Sequence, residues 1–211
     1  FNRTVNDNLA YRLRGITHSS SVMNAKIINF IETMGYKMQS FTTKYEGNTM
    51  LADSLLGIKY VIHDPDKYLS DTWLNPLYNE KLTYDYVNSG NEAAQFHIYE
   101  NPNALSIGYM IDDSITNLAY LGNDNPFNSQ NIFMSTITGN TQFETTPEGY
   151  INIVGNREYY KRIPETIELS ECEQYAYGSD GSKYVGNAGA SDPVINIHIT
   201  AESSNYIYMF L

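Results

Sequence analysis

Cysteine is almost absent: Cys172 is the single one in 211 residues. No internal disulfide can form, and a Cys-x-x-Cys metal or redox site is excluded. Such sparse use suits a reducing cytosol, and equally a bacterial exterior that rarely relies on disulfides. Basic residues are also few, 13 Lys and Arg against 24 Asp and Glu, for a formal net charge of -11. The deficit is uneven. Residues 1 to 62 carry 7 basic and 4 acidic groups, a balance of +3; residues 63 to 211 carry 6 and 20, a balance of -14. A nucleic-acid surface needs a basic stripe, and the sequence has none, so nucleic acid is not an expected partner. No run reaches 18 apolar residues, so no stretch reads as a transmembrane helix. The four histidines, His18, His63, His97 and His198, form no HExxH or other close ligand pair. There is no GxSxG elbow, and the Gly-rich "GNAGASD" at 186 to 192 lacks the Lys and the strand-to-helix setting of a phosphate loop. Neither a metal nor a cofactor is expected.

What the chain does have is Tyr and Asn, 19 and 23 of them, within a 42% hydrophobic composition. That mixture suggests strands, Asx turns and a wet surface. The length allows one good core or two smaller ones. In "SSSVMNAKIINFIETMG", Ser21 or Asn24 can cap a helix whose apolar face is Ile27, Ile28, Ile31 and Met34, and Gly35 stops it; the spacing predicts a helix over 23–34. A second short helix is expected over 49–56, closed by Gly57, with "IKYVI" as a strand after it. The whole stretch "SLLGIKYVI" reads as buried scaffold, with Lys59 turned away from Leu55 and Ile58 or snorkelling at an edge. The segment "FNRTVNDNLAYRLRG" reads as a strand pair or a loop. Strands are expected over 94–99 and 107–111, with Asn101, Pro102 and Asn103 as the turn between them. A short helix fits 126–136. From about 143, short strand-like runs separated by Gly, Asn and Asp-Gly suggest an antiparallel sandwich, with a hairpin through Asp180 and Gly181. In "VINIHIT" the phase of Ile195, Ile197 and Ile199 is expected inside. The expected fold is α+β: a mixed α/β part over 1–140 and an all-β, sandwich-like part over 141–211. The chain opens at Phe1 and closes in the strand-like "SSNYIYMFL", which gives the expectation of a piece of something larger.

Acid/base chemistry is thinly represented. Asp112 and Asp113 form the lone acidic doublet, and neighbours on a strand face opposite ways, so they make a poor catalytic pair. Asp124 between Asn123 and Asn125 resembles part of a calcium loop, without its twelve-residue spacing or closing Glu. The aromatic residues are more informative. Trp73, Tyr78, Tyr84, Tyr86, Tyr99 and Tyr109 share one stretch with Asn75, Asn79, Asn101 and Asn103. Rings beside amides suit sugar faces and hydroxyls, and equally suit ordinary strand packing or a structural interface. The candidate substrate-binding residues are Trp73, Tyr99, Asn101, Asn103 and Tyr109; no catalytic residue is assigned.

Several segments in order, "YRLRG", "SSSVMNAKIINFIETMG", "DSLLGIKYVI", "YENPNALSIGYMID", "NPFNSQNIF" and "ITG", resemble the extracytoplasmic portion of the YfhO family of bacterial multispan membrane proteins. The most specific pair is "LLGIKYVI" followed by "YENPNALSIGYM". The family usually has Pro after that last Leu, where this chain has Ser106. The resemblance covers roughly residues 10 to 140; the β part is similar in texture. It implies a parent protein in the cell membrane of a Gram-positive bacterium, with this domain on the extracytoplasmic side. It also implies a glycosyltransferase that uses lipid-linked sugar and an envelope polymer such as lipoteichoic acid. The catalytic acid of such an enzyme is expected near its first membrane spans, outside these residues. This domain then has an accessory or acceptor-docking role, with the parent's own transmembrane region and a cell-wall glycan or teichoic acid as partners. The exposed face for a polyanion is expected at Arg3, Arg12, Arg14 and Lys26. The alternative is a secreted carbohydrate-binding module.

Overall fold

The computed structural model describes residues 6–10, 12–39, 41–63, 78–87, 93–118, 121, 125–163, 165–177, 181–189 and 191–200. Trp73, Arg3, Asp124, the tip of the Asp180–Gly181 turn at 178–180 and the closing run 201–211 lie outside them. The fold is mixed α+β and divides into two compact units, Phe1–Ile111 and Asp112–Leu211.

In the first unit, a single helical turn α1 (Asp7–Ala10) stands where a strand pair or loop was expected. Helix α2 (Ala25–Thr33) begins at Asn24, whose side-chain oxygen accepts from the backbone N–H groups of Lys26 and Ile27. It ends at Gly35, with Gly35 N–H bonded to the Glu32 carbonyl and Tyr36 N–H to the Ile31 carbonyl. These paired bonds satisfy carbonyls that a helix end otherwise leaves open. Helix α3 (Met50–Leu55) has the same plan. Thr49 caps its start through a bond from Ala52 N–H, and Gly57 N–H and Ile58 N–H close its end on Ser54 and Asp53. Between α2 and α3, short strands β2 (Met38–Gln39) and β3 (Thr42–Thr43) pair, and β3 also pairs with β1 (His18–Ser19).

The main sheet of this unit has order β4-β6-β5, all antiparallel, from β4 (Tyr60–His63), β5 (Asn79–Val87) and β6 (Ala93–Glu100). "SLLGIKYVI" divides as expected into the end of a helix, a glycine turn and a strand. Its Leu55 closes α3, Gly57 turns the chain, and the strand starts at Tyr60. Lys59 is exposed as expected, and it pairs with Glu100 at 3.8 Å, as Lys81 does at 2.7 Å. The core gathers Met34, Tyr36, Ala52, Leu55 and Tyr78; burial of a side chain the size of Met or Leu contributes about 1.5–3 kcal/mol.

The expected strand over 107–111 does not form. Ile107, Tyr109 and Ile111 alternate like a strand, but the segment is an exposed loop, bent by a bond from Ser106 Oγ to the Gly108 carbonyl (2.7 Å). Alternation marks a strand only where another strand supplies the ladder.

The second unit opens with a 3-10 helix, Asp113–Asn117, capped by the Asp112 carboxylate accepting from Ser114 N–H at 2.9 Å. That backbone bond holds the Asp112 carboxyl below its ordinary range. Of the acidic doublet, Asp112 is thus the helix cap and Asp113 the first helical residue, both exposed. Helix α4 (Pro126–Ile137) follows, capped by Asn125 and ended at Gly139. Its inward face is unusually polar: Ser129, Gln130, Asn131, Ser135 and Thr136 are buried beside Ile137. Three antiparallel pairs complete the unit: β7 (Gln142–Thr145) with β8 (Ile151–Gly155), β9 (Glu165–Ser170) with β12 (Val194–Ile199), and β10 (Cys172–Tyr177) with β11 (Gly181–Gly186). The β10–β11 pair lies in sequence inside the β9–β12 pair. On β12, Ile197 is half buried, whereas Val194, Ile195 and Ile199 are exposed.

Candidate functional site

The most unusual chemistry of the first unit is a carboxylate in its interior. Asp53, on the buried face of α3, is 0% exposed. Its Oδ1 accepts from the Tyr36 hydroxyl, and its Oδ2 accepts from the hydroxyls of Tyr78 and Tyr45, the latter at 2.6 Å. Asn48 Nδ2 adds bonds to Asp53 Oδ2 (3.3 Å) and Tyr45 Oη (2.9 Å). The sequence brings these groups together by local means. The β2–β3 turn returns the chain so that the rings of Tyr36 and Tyr45 stand 6.2 Å apart, locked by Lys37 N–H on the Glu46 carbonyl and the Lys37–Glu46 ion pair at 2.9 Å. Gly47 permits the tight approach: a Cβ there would sit 2.2 Å from the Gly35 carbonyl oxygen. Tyr78 arrives from the start of β5.

Burial pushes the Asp53 carboxyl above its ordinary value, and the hydroxyl and amide donors pull against that shift. Burial, and then the Asp53 charge, push the Tyr45 hydroxyl far upward, so it remains a donor. With no exposed atom, this carboxylate cannot meet a substrate. Its work is to tie α3 to the 36–48 segment and to β5.

What α3 holds on its other contacts is a loop, residues 101–111. Asn101 is 2% exposed; its Nδ2 donates to the Ile58 carbonyl (3.1 Å) and Ser54 Oγ (3.3 Å), and its Oδ1 accepts from Asn103 N–H (2.9 Å). Leu105 N–H bonds the Ser54 carbonyl at 3.0 Å, and the Tyr109 hydroxyl reaches the Leu55 carbonyl at 3.4 Å. Asn103 Nδ2 lies 3.8 Å from Met50 Sδ. Asn101 N–H also bonds the Lys59 carbonyl at 2.8 Å, so the ties from the loop to the rest of the unit end on α3 or the four residues after it. The structure thus joins Asn101 to Asn103 directly and ties Tyr109 separately, at the other end of α3. Asn101 is spent inside as the anchor, while the Asn103 side chain and the Tyr109 ring, 40% exposed, are offered to the surface.

Gly57 is the hinge of this arrangement. It has φ 67°, and a Cβ there would lie 3.1 Å from the Leu105 carbonyl oxygen. Gly57→Ala is expected to destabilise the unit by about 1–2 kcal/mol and to speed hydrogen exchange at the Leu105 amide; unchanged exchange there would show that the loop does not depend on the α3 end.

Tyr99 stands apart, on the main sheet. It faces Val61 across β4, and its ring lies 6.4 Å from His63, edge-on, and 6.3 Å from His97. His63 and His97 are direct cross-strand partners. His97 Nδ1 is 2.8 Å from Glu80 Oε1, and the Thr83 hydroxyl donates to the same oxygen at 2.6 Å. Those bonds, Thr83 first, hold the Glu80 carboxyl below its ordinary range. In the second unit, His198 has a local partner in Glu168 at 3.3 Å. Among the described residues, no group of three or more His, Cys, Asp and Glu side chains is placed to share a metal ion.

The Asp53 cluster escaped the sequence reading, as did the exposure of Ile107 and Met110. The available signal for Asp53 was a carboxylate inside the apolar run "MLADSLL". Among the described residues, no helix is long and apolar enough to cross a membrane. A family model described as "Bacterial membrane protein YfhO" matches residues 1–211. No curated protein and no solved structure matches the chain.

Proposed function

Because the chain belongs to the YfhO family of bacterial membrane proteins, we propose that it is the extracytoplasmic domain of a membrane glycosyltransferase and docks that enzyme's acceptor. The enzyme draws on a lipid-linked sugar, and the acceptor is an envelope polymer such as lipoteichoic acid. The observation that carries the reading is the 101–111 loop, an amide and a phenol ring at the surface on a backbone pinned to α3. A sugar needs such a combination of flat apolar face and fixed polar groups. Pre-fixing them lowers the entropy lost on binding.

Charge narrows how the acceptor lies. A glycerol-phosphate backbone is repelled by an acidic chain, with a screening length of about 10 Å at 0.1 M salt. Its phosphates are directed toward exposed Arg12, Arg14 and Lys26, and its sugar or glycerol units toward the loop. A free-standing secreted module is the weaker reading, because the family match is to a membrane protein across the full chain.

The test is calorimetric titration of the chain with neutral glycans and with a glycerol-phosphate oligomer. Asn103→Ala combined with Tyr109→Ala is expected to weaken binding of either about tenfold or more, since each removes about 1 kcal/mol or more of contact. Arg12→Ala with Arg14→Ala should weaken the oligomer alone. Equal affinities in wild type and in the loop variant would defeat the docking role.

A further inference from the structure

We propose that residues 105–111 form a lipid-contacting tip that rests in the headgroup layer of the membrane. The loop's backbone is tied down, yet its large apolar side chains point away from the fold. Ile107 is 85% and Met110 100% exposed, with Leu105, Tyr109 and Ile111 exposed beside them. An ordered loop that leaves its largest apolar groups in water loses burial that a partner would recover.

The features of the tip select the partner. No residue from Asn101 to Ile111 is charged, so nothing in the segment has to be desolvated as an ion. The exposed side chains stand on a bend at Ser106–Gly108, and the space beside Gly108 is open: a Cβ there would meet nothing within 4 Å. Protruding aliphatic residues beside a tyrosine whose hydroxyl is engaged fit the interfacial layer of a bilayer, where aromatic rings settle at headgroup depth. The chain belongs to a membrane-protein family, so a bilayer is the surface at hand. Penetration stops at the interface, because an irregular backbone must keep its polar groups near water. Ile107 and Met110 enter deepest, and Asn103 and the Tyr109 ring stay at the polar edge, where both remain open to the acceptor. The proposal rests on the family membership and not on the acceptor role, so either can fail without the other.

The test uses the 211-residue chain with Cys172→Ser, an environment-sensitive fluorophore on Ile107→Cys, and a control label on Asn187→Cys. Phosphatidylcholine vesicles should shift the emission at 107 to the blue and allow quenching by spin-labelled lipid, with no change at 187. Ile107→Asp and Met110→Asp, at exposed positions that leave the fold intact by circular dichroism, should each lower vesicle partition at least about tenfold. With phosphatidylglycerol added, the net charge of -11 repels the vesicle, so salt should strengthen partition. No shift at 107, or partition unaltered by both aspartates, overturns the proposal. Binding to anionic vesicles alone that salt abolishes overturns it too, and assigns the contact to the basic residues. Sedimentation as a dimer that the aspartates dissolve, without vesicle binding, overturns it in favour of a second copy of the chain.

Discussion

Asp53→Ala is expected to lower the stability of the Phe1–Ile111 unit by about 3–5 kcal/mol, because it leaves several buried donors without an acceptor at about 1–3 kcal/mol each. The hydroxyls of Tyr36, Tyr45 and Tyr78 and the amide of Asn48 all converge on this one carboxylate. Truncation therefore strands them together, and the losses fall on three segments at once. Asp53→Asn should be milder at neutral pH, since it keeps the shape and one acceptor oxygen while setting an NH2 group against hydroxyls.

The pH dependence carries a definite sign. The folded carboxyl lies above the unfolded value of 3.8, so the native state binds this proton more tightly than the unfolded chain. The Asp53 contribution to stability therefore grows as pH falls from neutral through the folded pKa, and levels off below the unfolded one. Glu80, Glu100 and Asp112 have lowered values and act in the opposite direction. Subtracting the Asp53→Asn curve from the wild-type curve removes their common background. The difference, from denaturant melts between pH 7 and 4, should widen toward acid. A difference that narrows toward acid would mean that the four donors outweigh burial at this carboxylate.

Asn131→Ala is the second large expectation, about 2–4 kcal/mol in the Asp112–Leu211 unit. Asn131 lies buried on α4 and serves as a backbone surrogate. Its Oδ1 accepts from the N–H groups of Tyr159 (2.8 Å) and Tyr160 (2.7 Å), and its Nδ2 donates to the Tyr160 carbonyl (2.7 Å). One side chain thus stands in for a missing strand partner at the 159–160 bend, and seats Tyr160 against Phe127 at 5.3 Å between ring centroids. Alanine leaves three backbone groups to find water. Asn131→Asp retains both acceptor bonds but turns a carboxylate oxygen on the Tyr160 carbonyl, so it should fall between wild type and alanine. Hydrogen exchange at Tyr159 and Tyr160 reads the effect directly; protection unchanged in the alanine variant would show that the bend is held elsewhere.

The single turn α1 and the 3-10 helix at Asp113–Asn117 were not legible in the sequence, whereas helices α2, α3 and α4 were, because their signals are local. Asn24, Thr49 and Asn125 cap them, and Gly35, Gly57 and Gly139 end them, all within a few residues of the apolar faces they bound. The β9–β12 and β10–β11 strands were legible from β-branched and aromatic runs and turn residues, but alternation misplaced the inner face of β12, where Ile195 and Ile199 are exposed. The stretch at 107–111 alternates like a strand, yet among the described residues no strand pairs with it. Asp53 was illegible for a different reason: its partners come from positions 36, 45, 48 and 78, and only the folded chain joins them. Of the candidate site, the Asn101–Tyr109 segment was recognisable in sequence. Which of its amides faces outward was not, because the Asn101 and Asn103 side chains differ only in what α3 offers each of them.

The most direct test of the docking account is a chemical-shift titration of the isotope-labelled chain with short glycerol-phosphate oligomer and simple glycans. The account predicts saturable shifts clustered at Asn103 to Tyr109, joined by Arg12, Arg14 and Lys26 for the charged oligomer. An absence of shifts at millimolar ligand, or shifts confined to the β7–β12 region, would contradict it.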